Sequence, residues 1–428
     1  MQVLNWDKQT QKKIRRDYAS YFDPKVFKKV NRILAEVRQS GDLALRRYTR
    51  EFDGIDLPLK RLSVTQSDIN RAFEKIQVPF VPLLRQITEN VREYYEKELK
   101  RSFELAGKNG IQLGKQYEAI ERVGVYIPAG TAPLVSTVYM TVIPAKVANV
   151  KQIAICTPPR RDTGDIDPHI LAVANLLGVN EIYRVGGVQA IGAMAFGTKT
   201  IAKVDKIVGP GNAYVTEAKR QVYGFVDIDM VAGPSEVAII ADHTANADFV
   251  TCDLLAQTEH HGGIGYLITP SRKLVEIMKG RIDTGIIIQV KSVQEACEVA
   301  NEIAAEHLEI MTEEPEKVQK SIRHAGAIFI GPYSPTVIGD YIAGPSHVLP
   351  TGGTARYFSP LSASTFIKSS QIIRYTKEAL VASKEHVQKL TEMEGLYLHR
   401  ISLEARLASP ETTPAVKTNP ETGKEPAS

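Results

Sequence analysis

Cysteine is scarce: three residues in 428, Cys156, Cys252 and Cys297, set far apart inside apolar runs. That spacing argues against a disulfide framework and for buried free thiols in a reducing compartment. Long apolar runs are missing as well. Although 43% of the residues are hydrophobic, no stretch approaches the roughly 18 consecutive apolar residues of a membrane span. Charge of one sign is also lacking: 53 Lys and Arg against 49 Asp and Glu leave +4, dispersed along the chain. So small an excess argues against a nucleic-acid or membrane-surface partner. The opening residues, Met1-Gln-Val-Leu-Asn-Trp-Asp, have no basic region followed by an apolar core, so no secretory signal is expected. No internal repeat recurs, and no G-x-G-x-x-G occurs, so solenoids and the common dinucleotide fingerprint are excluded. What remains is a soluble, cytoplasmic protein of two or three domains, at roughly 150 residues each.

What is present is patterned. Val26, Val30, Ile33, Leu34 and Val37 recur at helical spacing, and Ser40-Gly41-Asp42 breaks and restarts the pattern. A second helical run, from about Ser67 to Leu105, is heavily charged on one face. Near Glu121 the texture changes to short β-branched runs alternating with helical stretches. Strands are predicted at 123–127, 152–156, 181–185, 206–208 and 237–240, with helices from about Leu134, Pro168, Gln189 and Asn212. After Asp242 come a helix to about His260, strands at 265–268 and 286–290, a helix from Ser292, and strands at 308–311 and 327–330. This alternation predicts parallel sheets with helices on both faces, in two α/β units. Residues 370–407 read as a helical appendage. Residues 408–428 contain four prolines and no aromatic residue, the composition of a disordered tail.

Three predicted strands run into glycine-rich turns: Val125-Tyr126-Ile127-Pro128-Ala129-Gly130, Val185-Gly186-Gly187-Val188-Gln189 and Val208-Gly209-Pro210-Gly211-Asn212. Glycine lets the backbone approach a ligand, and a following helix offers free N–H groups to an anion. Any one of them is ordinary turn chemistry; three in succession favour a nucleotide site at the carboxyl ends of a parallel sheet. Gln257 and His260 are three apart, so a helix would aim both at one centre. The plainer alternative is a cationic helix end favoured by the macrodipole. Glu306 and His307 place an acid beside an imidazole where a helix meets a strand, a pairing suited to proton transfer and water activation. Asp340, the stretch Gly344-Pro345-Ser346-His347, and Glu394 with His399 add further candidates, each of which taken alone is as well read as a surface or core residue. Spacing alone yields an α/β enzyme with a plausible nucleotide and metal.

Taken together, these segments resemble the histidinol dehydrogenase family over nearly the whole chain up to Leu407. The resemblance rests on Arg122-Val-Gly-Val-Tyr-Ile-Pro-Ala-Gly130, Val142-Ile-Pro-Ala-Lys-Val-Ala148, Arg184-Val-Gly-Gly-Val-Gln-Ala-Ile-Gly-Ala-Met-Ala195, Val208-Gly-Pro-Gly-Asn-Ala-Tyr-Val215 and Ala232-Gly-Pro-Ser-Glu236. It continues through Leu254-Leu-Ala-Gln-Thr-Glu-His260, Ala305-Glu-His-Leu-Glu309, Gly339-Asp-Tyr-Ile-Ala-Gly-Pro-Ser-His-Val-Leu-Pro-Thr351 and Glu394-Gly-Leu-Tyr-Leu-His399. It implies two Rossmann-like parallel-sheet domains lacking the G-x-G-x-x-G fingerprint, plus small helical N- and C-terminal segments. Expected boundaries are 1–21 (helical), 22–125 with 237–364 (catalytic α/β), 126–236 (NAD-binding α/β), 365–407 (helical) and 408–428 (tail).

The implied activity is a zinc-dependent, NAD-linked, four-electron oxidation of L-histidinol through the aldehyde to L-histidine, in histidine biosynthesis. By motif match, Gln257, His260, Asp340 and His399 are the implied ligands of one zinc per chain. Glu306 and His307 are the implied catalytic pair, and Tyr126, Gln189 and Asn212 the implied NAD contacts. Ser235, Gln257, His260, His307, Asp340, Glu394 and His399 are the implied substrate contacts. The implied assembly is a homodimer with shared active sites. Two features depart from the family pattern: His261-Gly262-Gly263 follows His260, and the segment from Thr269 to Val290 is short. Relatives oxidising another small amino alcohol or a sulfonated diol share much of this framework, so they are the alternative. A metal-dependent hydrolase using Glu306 fits less well, because it has no use for a dinucleotide crevice. A non-enzymatic nucleotide-binding protein leaves Glu306 and His307 without purpose.

Overall fold

The computed structural model describes residues 1–15, 21–77, 79–129, 133–259 and 262–408. The tail expected over 408–428 lies outside them save for Ala408. The chain divides into two units: Met1–Leu99 with Ala119–Ile367, and Lys100–Glu118 with the residues from Lys368 onward.

The first unit holds two parallel sheets with one strand order. The six-stranded sheet runs Gln2–Asn5, Ile286–Gln289, Ile264–Thr269, Glu236–Ala241, His307–Met311, Ala327–Ile330, each neighbouring pair parallel. The five-stranded sheet runs Glu181–Arg184, Gln152–Thr157, Arg122–Tyr126, Lys206–Val208, Asp227–Ile228, again parallel. In each, successive strands are laid to one side of a founding strand, and the order then jumps to its other side. Such a switch point opens a crevice in a parallel sheet. The founding strand Glu236-Val-Ala-Ile-Ile-Ala241 is buried throughout, as a strand covered by helices on both faces must be. The α/β class expected from the alternating pattern is therefore the one observed.

Which helices cover which sheet follows from their apolar stripes. Helix Pro24–Ser40 starts where Asp23 accepts from the Lys25 N–H at 2.7 Å, and stops at Gly41. Its stripe of Val30, Ile33, Leu34 and Val37 is buried against Ala154, Val188 and Ile191 of the five-stranded sheet and its helices. Gly192 allows that approach: a Cβ there would sit 3.1 Å from Leu34 Cδ2 and 3.2 Å from Val37 Cγ1. Helix Phe80–Glu98 likewise joins Leu84, Val91 and Tyr95 to the buried helix Val135–Val147. The helices within residues 22–98, expected with 237–364, thus pack on the five-stranded sheet, while residues 100–118 belong to the second unit. The six-stranded sheet is covered instead by Lys8–Ile14, Ala247–Gln257, Arg272–Lys279 and Val293–Ile303. The short segment after Thr269 still provides a helix and the strand Ile286–Gln289, so the sheet is continuous.

Both terminal segments differ from the helical expectation. Gln2–Asn5 is an edge strand in register with Ile286–Gln289. With two apolar residues in four, it is too short to show a period. In the second unit, Ile367–Arg374 begins a three-stranded sheet with Gln112–Ala119 and Phe103–Ala106, followed by helices Lys377–Met393 and Tyr397–Leu407. The run Ile367-Lys-Ser-Ser-Gln-Ile-Ile-Arg374 is mostly solvated, so it carries no alternating apolar signal. That unit buries Ala379, Ile401 and Leu403, while Leu105, Ile373, Leu390 and Met393 are exposed.

Candidate active site

The acid and the imidazole arise from one backbone irregularity. Helix Val293–Ile303 ends at Ala304, whose φ of 51° puts a non-glycine residue in the left-handed region. This reverses the chain and delivers Glu306 and His307 to the start of strand His307–Met311. Both side chains are buried. Ser235 Oγ donates to Glu306 Oε2, and the Glu236 N–H donates to the same oxygen at 3.1 Å. His307 Nδ1 lies 3.8 Å from Glu306 Oε2, and Nε2 lies 3.6 Å from Asp340 Oδ1. Neither ring nitrogen forms a hydrogen bond. Ser235, Glu306, His307 and Asp340 are thus brought together at the amino ends of the central strands.

Their charges interact. Burial raises the Glu306 carboxyl, an effect that His307 and the Ser235 and Glu236 donors oppose. Burial alone would lower the His307 imidazole, but Glu306 and Asp340 outweigh it and push it up to about 9. Asp340 is carried by helix Thr336–Tyr341. His347 Nδ1 donates to the Asp340 carbonyl at 3.0 Å, and its Nε2 faces Thr137 Oγ1 at 3.2 Å. His347 stood out in the sequence without a role; here it steadies the backbone of Asp340. Sequence spacing could not have paired Thr137 with a residue 210 positions away.

Gln257 ends helix Ala247–Gln257, 5% exposed, with Nε2 unpaired. A buried amide without a partner is uncommon and points to something else to bind. His260 lies outside the described residues. Glu394 and His399 belong to the second unit, at the end of helix Lys377–Met393 and within Tyr397–Leu407. Among the described residues, no group of three or more His, Cys, Asp or Glu is arranged to hold a metal. The donors fit zinc in kind, since imidazole nitrogens with carboxylate and amide oxygens are its usual company.

The proposed cofactor contacts gather at the carboxyl ends of the five-stranded sheet. Tyr126 ends its strand, and its hydroxyl accepts from the Gly187 N–H at 3.1 Å. Gln189 is 0% exposed, yet neither its Oε1 nor its Nε2 has a partner. Thr157 Oγ1 and Asp53 Oδ2 are likewise buried and unpaired. Helix Gly187–Phe196 begins without a side-chain cap. Unpaired polar groups beside an uncapped helix start suit a polar, anionic ligand. Asn212 differs from the expectation of free N–H groups: its Oδ1 caps helix Ala213–Val222, accepting from Tyr214 at 3.0 Å and Val215 at 3.1 Å. Asn212 as a whole is exposed.

The loop before Asn212 is held rigidly. Asp229 Oδ2 accepts from the Gly209 N–H at 2.8 Å, and Lys219 Nζ donates to the Gly209 carbonyl at 2.9 Å. Lys219 and Asp229 also pair with each other, both buried. A Cβ on Gly209, at φ 115°, would run into the Tyr126 carbonyl, so only glycine brings the loop this close. Five residues separate Asp229 from Ser235, a reach of at most about 20 Å.

Asp53 permits a direct stability test. Burial raises its carboxyl to about 6, with Arg161 opposing. A carboxyl raised in the folded state is penalised once ionised, so the penalty is absent near pH 3.8, grows to pH 6 and is constant above it. Asp53→Asn is expected to stabilise the ligand-free protein by about 2–3 kcal/mol at pH 8, and by little near pH 4. Denaturant titration at the two pH values reads the difference; equal gains at both would show that Asp53 ionises without penalty.

A family model described as histidinol dehydrogenase matches residues 17–407. The chain is 44% identical to the histidinol dehydrogenase of Bacillus cereus, covering 92% of this chain and 95% of that one. It is also 44% identical to that of Clostridium acetobutylicum, covering 89% and 92%. The crystal structure of histidinol dehydrogenase from Elizabethkingia anophelis superposes with a TM-score of 0.88 at 35% identity, covering 95% and 98%.

Proposed function

The chain belongs to the histidinol dehydrogenase family, and from that premise we propose that it oxidises L-histidinol to L-histidine in two NAD-linked steps. The observation that carries the reading is the Ser235–Glu306–His307–Asp340 cluster, built on a buried acid and imidazole. Gln257, His260 and Asp340 of one chain, with His399 of its partner, would hold one zinc. Tyr126, Gln189 and Asn212 would contact NAD. When bound, zinc supplies a Lewis-acidic anchor for the substrate amine and imidazole, and NAD supplies the acceptor for both electron pairs.

His307 accepts the hydroxyl proton as the carbinol hydrogen departs together with the C–H electron pair, giving the aldehyde. Glu306, held by Ser235 and the Glu236 N–H, then takes a proton from water as the water oxygen bonds to the aldehyde carbon. The resulting hydrate alkoxide then loses its C–H hydrogen with the bonding electron pair, and its remaining hydroxyl proton, to become the carboxylate. As a metal ligand Asp340 would share its charge with the cation, leaving Glu306 as the group that favours a proton on His307. Burial of both groups keeps the reacting atoms away from bulk water.

The protein is read as a cytoplasmic homodimer. No helix of the described residues is long and apolar enough to cross a membrane. The test mixes protein, NAD and a panel of amino alcohols and diols, including sulfonated diols, and follows reduced nicotinamide by absorbance. Histidinol should be turned over with the highest kcat/KM. Preference for another alcohol would assign the chain to a relative's substrate, and no nicotinamide reduction with any of them would refute the reading. Protein purified without chelator should contain zinc and chain in near-equal amounts, and His260→Ala should lose most of the metal. Full retention by that variant would refute the ligand assignment.

A further inference from the structure

Glu309 is 1% exposed and takes no part in the chemistry assigned to Glu306 and His307. It lies two residues beyond His307 on one strand, so both side chains leave the same face. Its Oε1 accepts from the Thr336 N–H at 3.0 Å. Thr336 opens the helix that carries Asp340, and Pro335 before it has no acceptor to cap that helix; no other side-chain cap is present. The leading N–H groups of a helix need partners from outside, and Glu309 provides one from across the sheet. Its Oε2 forms no hydrogen bond; the carboxyl of Asp253 faces it. Burial, then the facing Asp253, pushes Glu309 up to about 8, so it holds a proton at neutral pH. Asp253 sits one helical turn before Gln257, on the same helix face.

We propose that Glu309 is a positioning residue for the metal centre, its carboxyl tying the His307 strand to the Asp340 helix while it faces Asp253 of the Gln257 helix. The proposal rests on Gln257 and Asp340 being zinc ligands. Hydrogen bonds that support ligands from behind are worth about 10–100-fold in metal affinity. A group that merely filled space in the sheet would alter melting and leave zinc affinity where it was.

The experiment measures zinc affinity of the metal-free full chain by competition with a chromophoric chelator, alongside its melting by circular dichroism. Glu309→Leu, which removes the acceptor for the Thr336 N–H, is expected to weaken zinc binding about 10–100-fold. Glu309→Gln keeps an acceptor for Thr336 and gains a donor for Asp253, so it should stay near the parent. Thr336→Pro deletes the donor from the other side, at a position where the first turn of a helix accepts proline, and should weaken binding in the same direction. Parent-like affinity in both Glu309→Leu and Thr336→Pro, or equal loss in Glu309→Gln and Glu309→Leu, would overturn the proposal. So would loss of the fold in both tie-breaking variants, which would make Glu309 a purely structural residue. A parent chain that takes up no zinc would refute the metal reading itself, and the proposal with it; the parent measurement separates the two failures.

Discussion

Glu306→Gln and His307→Asn are expected to damage different halves of the oxidation. Glutamine keeps the shape of Glu306 and an oxygen to accept from Ser235 and from the Glu236 N–H, now 3.1 Å away. It cannot take a proton from water. Oxidation of supplied aldehyde should therefore slow far more than the first removal of an electron pair from the alcohol. Asparagine at 307 removes the imidazole poised between Glu306 and Asp340. Alcohol oxidation should then fall by roughly 10²–10⁴-fold, the usual contribution of a general base, or about 3–5 kcal/mol of barrier. Single-turnover measurements with alcohol and with aldehyde separate the two effects. Equal slowing of both steps in both variants would mean the two residues do not divide the work.

The central strands were legible because burial on both faces writes itself as unbroken apolar runs, as in Gln152–Thr157 and Glu236–Ala241. The edge strands were not. Gln2–Asn5 has no room for a period, and Ile367–Arg374 carries Lys, Ser, Ser and Gln on exposed positions. Which sheet a helix covers was hidden for another reason. Val30, Ile33, Leu34 and Val37 announce a stripe but not its partner, and the fit that selects it is local: Gly192 against Leu34 and Val37.

The site divides similarly. Glu306 and His307 were visible as an acid beside an imidazole, yet their dependence on Ala304 in the left-handed region was not, because alanine gives no warning of it. Gly209 proves to approach backbone, the Tyr126 carbonyl, and the buried Lys219–Asp229 pair that fixes it from both ends has no mark in the sequence. Glu309 escaped for the same reason: a carboxyl in an otherwise apolar strand declares itself only when Thr336 and Asp253 are seen against it.

A mixed dimer of His307→Asn and His399→Asn chains is expected to recover about half of the parent activity, although each variant alone is inactive. The second unit, which carries Glu394 and His399, buries few apolar side chains of its own; Ile373 is 66% exposed and Met393 84%. Short helices with so little internal burial need another surface to dock on. A second copy of the chain supplies one in the shared-site reading, with Gln257, His260, Glu306, His307 and Asp340 from one chain meeting Glu394 and His399 from the other. In the mixed dimer one site then receives both lesions and its twin receives neither. If each chain instead completed its own site, every site would carry one lesion and the mixture would stay as inactive as its parents. Co-expression with two different affinity tags and sequential purification isolates the mixed species, and its turnover per dimer decides between the two arrangements. Exchange of a terminal element between identical chains is an easily reached route to dimers, and it makes activity depend on protomer concentration: dilution that separates the chains should abolish turnover together with zinc retention.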